Sequence, residues 1–340
     1  MRQVFIDGKG DIVVREVEAP QVCDGGVLSR TAYSVISSGT EMMGIRARRA
    51  NPDPNRADGS SGYTNAGTII AVGKDVAGFE AGDRIGNYGS PSCFGGHIET
   101  CCIGRNLAIK LPDNVDLKQA AFTGLGGIAI QAVRRAERTF GESVVVMGLG
   151  VLGQIIARVC NAAGYRVLAT DFIEDRRRIA EAAGIRTMSA GDDVIQAVMD
   201  ATGGHGADAV LISVATDTAQ PITDALKMIR FGGRVVMVGV AKMEVDRNLF
   251  FAKEADFVIS RAAGPGRYDP VYEGQGVDMP YQFVRWTEGR NLQEFIRLLS
   301  DNRLGVDDLI SHEFPVEQAA DAYQQVLDHP QETLGVMLKY

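Results

Sequence analysis

The first third of the chain is a series of short runs in which hydrophobic and polar residues tend to alternate. The clearest runs cover residues 12–17, 26–35, 66–72, 84–88 and 97–103, with Gly, Pro, Asn and Asp between them. Alternation with a period of two, between polar turns, is typical of β-strands that bury one face. The pattern therefore predicts an all-β domain over residues 1–115.

The pattern changes near Leu117, where longer segments with helical periodicity begin. A helix is predicted over residues 119–138, and apolar strands then alternate with helices as far as Ser260. The predicted strands are 144–147, 166–170, 209–214 and 234–238, and the predicted helices are 151–163, 176–183, 194–202 and 221–228. Strands that are apolar throughout are expected where helices cover both faces of a parallel sheet, so this region is predicted to be a doubly wound α/β domain.

The remainder of the chain has a mixed pattern. Residues 264–290 are polar and aromatic with little periodicity, and predicted helices at 292–299 and 316–327 and a strand at 336–339 follow them. With 340 residues, the chain is long enough for two domains.

Composition narrows the classes of partner and compartment. The net charge of −8 argues against nucleic acid or an anionic membrane surface as a partner. Five cysteines without disulfide-like spacing are typical of a reducing compartment. The first residues contain no apolar leader, and no run of about 18 apolar residues occurs, so we expect a cytoplasmic protein.

The most specific motif is a glycine triplet between a predicted strand and a predicted helix. Gly148 permits a tight turn, Gly150 permits close approach of a pyrophosphate, and Gly153 permits close packing of helix on strand. Val151 and Leu152 begin the helix, whose free N–H groups and positive dipole end favour phosphate. The motif predicts a dinucleotide site.

Asp171 ends the next predicted strand, 18 residues after Gly153. A carboxylate there accepts hydrogen bonds from ribose hydroxyls and repels a 2′-phosphate, which favours NAD over NADP. Arg176 and Arg177 follow closely and either cover the adenosine end or belong to a solvated helix start.

Further landmarks lie along the whole chain. They are Ser-Gly-Thr-Glu at 38–41, Gly-Tyr-Thr-Asn-Ala-Gly at 62–67, Gly-Asp-Arg at 82–84, Ala-Ala-Phe-Thr-Gly at 120–124 and Phe-Gly-Gly-Arg-Val at 231–235. With the glycine triplet, their order resembles that of the medium-chain dehydrogenase/reductase superfamily. Residues 35–41, Tyr63, 96–99 and 264–270 look like those of a subgroup of predicted sugar or cyclitol dehydrogenases.

The resemblance implies an architecture and an assembly. A GroES-like β-barrel is expected from residues 1–117 and 264–340, and a Rossmann domain from residues 118–263, with the active site in the cleft between them. Relatives form homodimers or homotetramers. Backbone groups at the ends of later strands are expected to face the nicotinamide, at Ser213, Ala215, Val238, Gly239 and Val240.

The resemblance also indicates that the usual metal is missing. In zinc-dependent members, three ligands stand where this chain has Ser38, Tyr63 and Leu125. A hydroxyl, a phenol and an alkyl chain do not make the usual zinc site, and the four-cysteine lobe is absent too, so we expect no zinc. A different metal site remains open at Cys93, His97, Cys101 and Cys102, although Cys102 would face away from the others on a strand.

Without a metal, another group must stabilise the substrate oxygen and move its proton. Tyr63 is a candidate proton donor, or an aromatic that fills the space left by the metal. His97 titrates in the useful range, or is a structural histidine with satisfied hydrogen bonds.

Three more residues complete this set of candidates. Thr40 matches a hydroxyl that relays protons in alcohol dehydrogenases, and Ser38 adds a second hydroxyl. Glu41 matches a family acid that is often structural and typically paired with an arginine.

Arg267, Tyr268 and Trp286 are the candidate substrate contacts. Polar groups and aromatic rings together suit a polyhydroxylated small molecule, although a dimerisation arm or a loop packed on its own domain has the same composition. The leading expectation is a zinc-independent NAD-dependent dehydrogenase acting on a secondary alcohol of a sugar, glycoside or cyclitol. The alternatives are an NADPH-dependent quinone or enone reductase and a non-catalytic dinucleotide-binding protein.

Overall fold

Antiparallel strands dominate the first part of the computed structural model, which describes residues 1–90 and 95–340. The elements are β1 (Arg2–Ile6), β2 (Ile12–Glu16), β3 (Gly26–Ile36), α1 (Thr40–Ala50), β4 (Gly59–Ser60), β5 (Thr64–Val72), β6 (Arg84–Tyr88), β7 (Thr100–Gly104) and β8 (Ala108–Lys110). Strands β2, β1 and β4 form one sheet, and β3 pairs with both β5 and β7 in a second.

Helix α1 corrects the all-β prediction for residues 1–115. Met42 and Ile45 are buried one turn apart, while Arg48 and Arg49 of the last turn complement the helix dipole and donate to backbone carbonyls of the segment between β1 and β2. This apolar stripe is too short and too rich in arginine to stand out as a helical pattern. It packs in a core with Ile6 and Ile36.

The helix predicted at 119–138 is divided into α2 (Leu117–Ala120) and α3 (Thr123–Ala136). Asp116 accepts a hydrogen bond from the Gln119 backbone N–H at 2.9 Å, and the Gln119 side chain accepts one from the Asp116 N–H, which makes a capping box. The local cap therefore begins the helical region slightly before the predicted residue.

A six-stranded parallel sheet follows, as the apolar strands predicted. Its strands are β9 (Ser143–Met147), β10 (Arg166–Asp171), β11 (Arg186–Ser189), β12 (Ala207–Ile212), β13 (Ile229–Met237) and β14 (Asp256–Ile259). The helices are α4 (Val151–Ala162), α5 (Glu174–Ala182), α6 (Val194–Ala201), α7 (Gln220–Met228) and α8 (Arg247–Lys253). The order β11-β10-β9-β12-β13-β14 is that of a Rossmann fold, which confirms the predicted fold class.

The sequence pattern missed the strands β11 and β14 and the helix α8 in this sheet region. Residues 186–189 are only partly buried, and Ile259 is 60% exposed, so neither strand has the continuous apolar character of a central strand. Edge strands of this kind carry a weak hydrophobic signal.

The chain ends with α9 (Pro270–Glu273), α10 (Glu288–Ser300), β15 (Ile310–Pro315), α11 (Ala319–Asp328) and β16 (Gly335–Lys339). Strand β16 pairs antiparallel with β3, so this segment extends the sheet that contains β3, β5 and β7. The structure has two compact units, Met1–Gly127 with Ala263–Tyr340, and Ile128–Ala262. Within the described ranges, no helix is long and apolar enough to cross a membrane.

Candidate active site

The glycine loop lies between β9 and α4 in the second unit. Gly148 has a φ of +92°, which other residues rarely adopt, and a Cβ on Gly153 would lie 1.9 Å from the Gly148 carbonyl oxygen. A Cβ on Gly150 would have no atom within 4 Å, so this side of the loop is open. Val151 and Leu152 follow as the first residues of α4. The loop therefore has the tight turn, the close helix contact and the open face that a pyrophosphate site requires.

Asp171 ends β10, the strand next to β9, and its carboxylate lies beside the glycine loop. It accepts hydrogen bonds from the backbone N–H groups of Leu149 at 2.7 Å and Ile173 at 2.9 Å. The Arg176 guanidinium is 3.8 Å away. Burial lowers the pKa of Arg176 more than the Asp171 charge raises it. The loop and the acid that sequence reasoning paired thus lie together in the structure.

The later strand ends lie at the same edge of this sheet. The Ser213 hydroxyl donates to the Gly148 carbonyl at 2.8 Å, which ties the end of β12 to the glycine loop. Ala215 and Val240 form a parallel bridge, and a Cβ on Gly239 would lie 2.0 Å from the Val214 carbonyl oxygen. Val238 donates its N–H to Ile212. All five predicted strand-end residues are therefore at the carboxyl edge, where ligands bind in such sheets.

Tyr63 is the central candidate of the first unit. It precedes β5, and its phenol donates to the Ser37 hydroxyl at 2.6 Å. Its ring meets the Tyr88 ring edge-on, with centroids 5.5 Å apart. Burial raises the pKa of the Tyr63 phenol, and the hydrogen bonds with Ser37 and Thr40 lower it by less. The phenol is therefore protonated at neutral pH, and its single proton lies in the hydrogen bond to Ser37.

Ser38 and Thr40 lie in the turn between β3 and α1. Ser38 is partly buried, and Thr40 is an exposed residue at the start of the helix. The Thr40 side chain contributes to lowering the pKa of the Tyr63 phenol, which opposes the effect of burial. The phenol itself donates to the hydroxyl of Ser37, the residue before Ser38.

His97 and Glu41 lie in a buried cluster below this turn. The His97 ring is fully buried, with Nδ1 2.7 Å from the Ser34 hydroxyl and Nε2 3.2 Å from Glu41 Oε2. Both ring nitrogens thus have partners within the protein. This geometry favours the structural interpretation of His97 over that of a proton acceptor for a substrate.

Glu41 is the centre of the same cluster, which we call the Glu41 cluster (Ser34, Ser37, Glu41, Ser61, His97 and Tyr323). The carboxylate accepts the Ser37 N–H at 2.7 Å, the Ser61 hydroxyl at 2.8 Å and the Tyr323 hydroxyl. Burial alone would raise the pKa of Glu41. The interaction with His97 and the hydrogen bonds from Tyr323 and Ser37 outweigh burial, so the pKa is lowered. The partner is a histidine rather than the arginine that the resemblance suggested.

Arg267 is almost fully buried, and most of its contacts are with aromatic rings and acceptors of the same unit. Its side chain is 7% exposed, and its guanidinium lies 4.1 Å from the Tyr88 ring centre and 4.7 Å from that of Tyr268. It donates to the Gly89 carbonyl at 2.9 Å and to Glu273 at 3.2 Å. Because Gly89 in turn donates its N–H to the Tyr63 carbonyl, Arg267 supports the backbone that carries Tyr63.

Tyr268 and Trp286 are more open than Arg267. Tyr268 is 51% exposed, with a φ of +68°, and Trp286 is partly buried with the Arg285 guanidinium 4.9 Å from its ring. Sequence reasoning missed Glu273 and Glu288, two buried carboxylates that face Arg267. No local signal distinguishes them from surface acids.

The donors at the expected zinc position do not fit a zinc ion. Ser38 and Tyr63 offer a hydroxyl and a protonated phenol, and Leu125 is a buried alkyl chain. In the ranges 1–90 and 95–340, no group of three His, Cys, Asp or Glu side chains is arranged to hold a metal.

The alternative cysteine and histidine cluster is dispersed. Cys101 contacts the Ser29 hydroxyl at 3.0 Å, whereas Cys102, its neighbour on β7, contacts Cys23. His97 Nε2 is directed at Glu41. Cys93 lies outside the described residues. The side chains of His97, Cys101 and Cys102 are therefore directed at different partners and do not converge on one metal position.

Comparison with known proteins shows similarity to dehydrogenases. A family model described as zinc-binding dehydrogenase matches residues 151–273. The 2-dehydro-3-deoxy-L-galactonate 5-dehydrogenase of Pseudoalteromonas atlantica is 26% identical over 300 residues, which cover 79% of this chain and 80% of that protein. The D-guloside 3-dehydrogenase of Escherichia coli K12 is 29% identical over 280 residues, which cover 79% of this chain and 74% of that protein.

A solved structure shows the same fold over the whole chain. It is an Escherichia coli CFT073 protein described as a short chain alcohol dehydrogenase and complexed with NADH. The TM-score is 0.80 at 19% identity, and the match covers 100% of this chain and 99% of that one.

Proposed function

Because this chain belongs to the medium-chain, zinc-type alcohol dehydrogenase superfamily, and is thus an oxidoreductase acting on CH–OH groups, we propose that it oxidises a secondary alcohol of a sugar, glycoside or cyclitol with NAD. The glycine loop with Asp171 beside it is the main support for NAD as the cofactor. The similarity to a 2-dehydro-3-deoxy-L-galactonate 5-dehydrogenase and to a D-guloside 3-dehydrogenase supports the substrate class.

The second unit supplies the groups that would hold NAD. The open face at Gly150 and the N–H groups of Val151 and Leu152 suit the pyrophosphate, and Asp171 suits the ribose hydroxyls. Arg176 would lie near the adenosine, and the strand-end residues Ser213, Ala215, Val238, Gly239 and Val240 would meet the nicotinamide. When bound, NAD accepts the hydride that the substrate carbon gives up.

In the first unit, Tyr63 would hold the reacting oxygen. In the reducing direction the phenol would turn its single proton from the Ser37 hydroxyl to that oxygen and give it up as hydride reaches the carbon. In the oxidising direction these steps would run in reverse, and the deprotonated phenol would accept the alcohol proton as hydride leaves the carbon. Thr40 is exposed at the start of α1, and its hydroxyl would exchange protons between the phenol and solvent. No step is assigned to zinc, because Ser38, Tyr63 and Leu125 do not form its ligand set.

The substrate would be oriented by side chains of the first unit that keep some exposed surface. Tyr268 and Trp286 offer ring faces for a sugar, and Ser38 offers a hydroxyl. We assign Arg267 to positioning Tyr63 through Gly89, since its guanidinium already contacts Gly89, Glu273 and two tyrosine rings. His97 and Glu41 support the same region from within the core.

A spectrophotometric screen tests the function directly. The purified protein is incubated with NAD or NADP and panels of sugars, glycosides and cyclitols, and separately with NADPH and enones or quinones. NADH formation with a polyhydroxylated substrate is expected. NADPH consumption with an enone or quinone would favour the reductase alternative, and tight NADH binding without turnover would favour a non-catalytic protein.

Two further measurements test the metal and the assembly. Elemental analysis of the purified protein should find no stoichiometric zinc, and one zinc per chain would overturn the zinc-independent mechanism. We also propose that the chain assembles as a homodimer or homotetramer, so light scattering after size-exclusion chromatography should give the mass of one of these, and a monomer mass would contradict it.

A further inference from the structure

Cys23 and Cys102 bring two thiols into direct contact in the first unit. Cys23 lies in the segment between β2 and β3, and Cys102 lies on β7. Their sulfur atoms are 2.6 Å apart, and the Cys23 backbone N–H points at the Cys102 sulfur at 3.3 Å. Since a disulfide bond is about 2.05 Å long, only a small side-chain movement separates this contact from a bond.

The fold brings these two residues together through the pairing of β3 and β7. Leu28 on β3 lies opposite Cys102, and the turn before β3 is closed by the Gly26 N–H, which donates to the Cys23 carbonyl at 3.2 Å. A Cβ on Gly26 would lie 2.6 Å from the Cys23 sulfur. Glycine therefore leaves the space in which the Cys23 thiol sits against Cys102.

The pair differs from the other described cysteines in access to solvent. Cys23 is partly exposed and Cys102 is 2% exposed, so a reagent reaches Cys23 first and Cys102 is its inner neighbour. Cys101 is fully buried and contacts the Ser29 hydroxyl. Cys160 is fully buried in the second unit, where burial raises the pKa of its thiol.

We propose that Cys23 and Cys102 form a reversible disulfide modification site that reacts with small-molecule disulfides of the glutathione type. The Cys23 thiolate attacks one sulfur of the small disulfide, forms a mixed disulfide and releases one small thiol. The Cys102 thiolate then attacks the Cys23 sulfur, the protein disulfide forms, and the second small thiol leaves. Two protein thiols are oxidised, one small disulfide is reduced to two thiols, and their protons pass through solvent.

The bond would tie the segment before β3 to β7 and close a loop of roughly 80 residues. Cross-links that close long loops restrict the unfolded chain, so the oxidised protein is expected to unfold at a higher temperature than the reduced one. In a reducing compartment the bond would be transient, as redox-responsive disulfides are.

Alkylation and peptide mapping test the proposal on the full chain. The reduced protein is incubated with oxidised glutathione, quenched with an alkylating reagent, denatured and analysed by mass spectrometry. Wild type should lose two of its five alkylatable thiols, yield a cross-linked peptide and recover all five thiols with dithiothreitol. A glutamate-specific protease is needed beside trypsin, because residues 85–105 contain Cys93, Cys101 and Cys102 without an internal Lys or Arg.

Variants identify the pair. Cys102→Ala should stop at a mixed glutathione disulfide on Cys23, whereas the matched control Cys101→Ser should form the cross-link as wild type does. If Cys102→Ala does not fold, Cys23→Ser gives the same information by retaining all four of its remaining thiols. Wild type with five reactive thiols, or a cross-link that involves Cys93, Cys101 or Cys160, would overturn the proposal.

Discussion

The glycine loop of the second unit and the Glu41 cluster of the first unit differ in whether their polar groups are available to a ligand. At the loop, a Cβ on Gly150 would meet nothing within 4 Å, and the groups that bind phosphate are backbone N–H groups at a helix start. In the Glu41 cluster, the carboxylate and the His97 ring have all their near partners inside the protein. A polar group in a functional motif therefore either stays available to a ligand or has all its hydrogen-bond partners within the protein.

The comparison is tested most strongly at Glu41. Replacement by alanine leaves His97, Ser61 and Tyr323 without their shared acceptor, so Glu41→Ala should lower the free energy of unfolding by about 3–5 kcal/mol. Urea unfolding measures it. Glu313→Ala is the matched control, because Glu313 is 39% exposed in its ion pair with Lys118 and should cost at most about 1 kcal/mol. Equal losses in the two variants would contradict a structural Glu41 cluster.

Tyr63 lies between the two extremes, since its phenol is bonded to Ser37 yet its side chain is partly exposed. Tyr63→Phe should lower kcat about 100-fold, because a proton donor is lost from the reacting oxygen, and should leave stability within about 1.5 kcal/mol of wild type. Steady-state kinetics and urea unfolding measure both. His97→Ala should show the reverse pattern: a clear loss in the free energy of unfolding, with little change in the pH dependence of kcat. Full activity in Tyr63→Phe would reject the proposed role of Tyr63.

Two glycines of one loop provide an internal contrast. A methyl group on Gly150 enters the open face, so Gly150→Ala should fold normally and weaken NADH binding about tenfold, or about 1.4 kcal/mol. Gly153→Ala places its methyl against the Gly148 carbonyl and should lower stability by about 1–3 kcal/mol as well. Fluorescence titration with NADH and thermal unfolding separate the two effects. Unchanged NADH affinity in Gly150→Ala would place the pyrophosphate elsewhere.

The smallest expected effect is the pH dependence of the Glu41 cluster. Because the pKa of Glu41 is lower in the folded protein than its ordinary value of 4.5, folding favours the ionised form. This stabilisation is fully present above that value and is lost as pH falls through it toward the folded pKa. Between about pH 5 and 4, stability should fall by less than about 1 kcal/mol from this group. Urea unfolding of Glu41→Gln over the same range should show a shallower slope, and an identical slope would contradict the assignment.

The second unit was predictable from sequence because its signals are local. Apolar strands, glycine spacing and a strand-ending acid each lie within a few residues of the structure they form. The prediction for residues 40–50 was wrong because the local signal there is weak. Only a narrow apolar stripe around Met42 and Ile45 identifies α1. The edge strands β11 and β14 were missed because their burial is partial.

The sequence by itself determined a glycine loop with an acid beside it and a parallel sheet, and its resemblance to a family predicted a site where Ser38, Tyr63 and Leu125 replace the usual zinc ligands. Tertiary structure decided which polar side chains remain available. Glu41 and His97 are 56 residues apart in sequence and Arg267 meets the carbonyl of Gly89 178 residues away, so no local pattern reveals that these groups are occupied. A residue's type sets its chemistry, but whether that chemistry reaches a ligand depends on desolvation and partners supplied by distant parts of the chain.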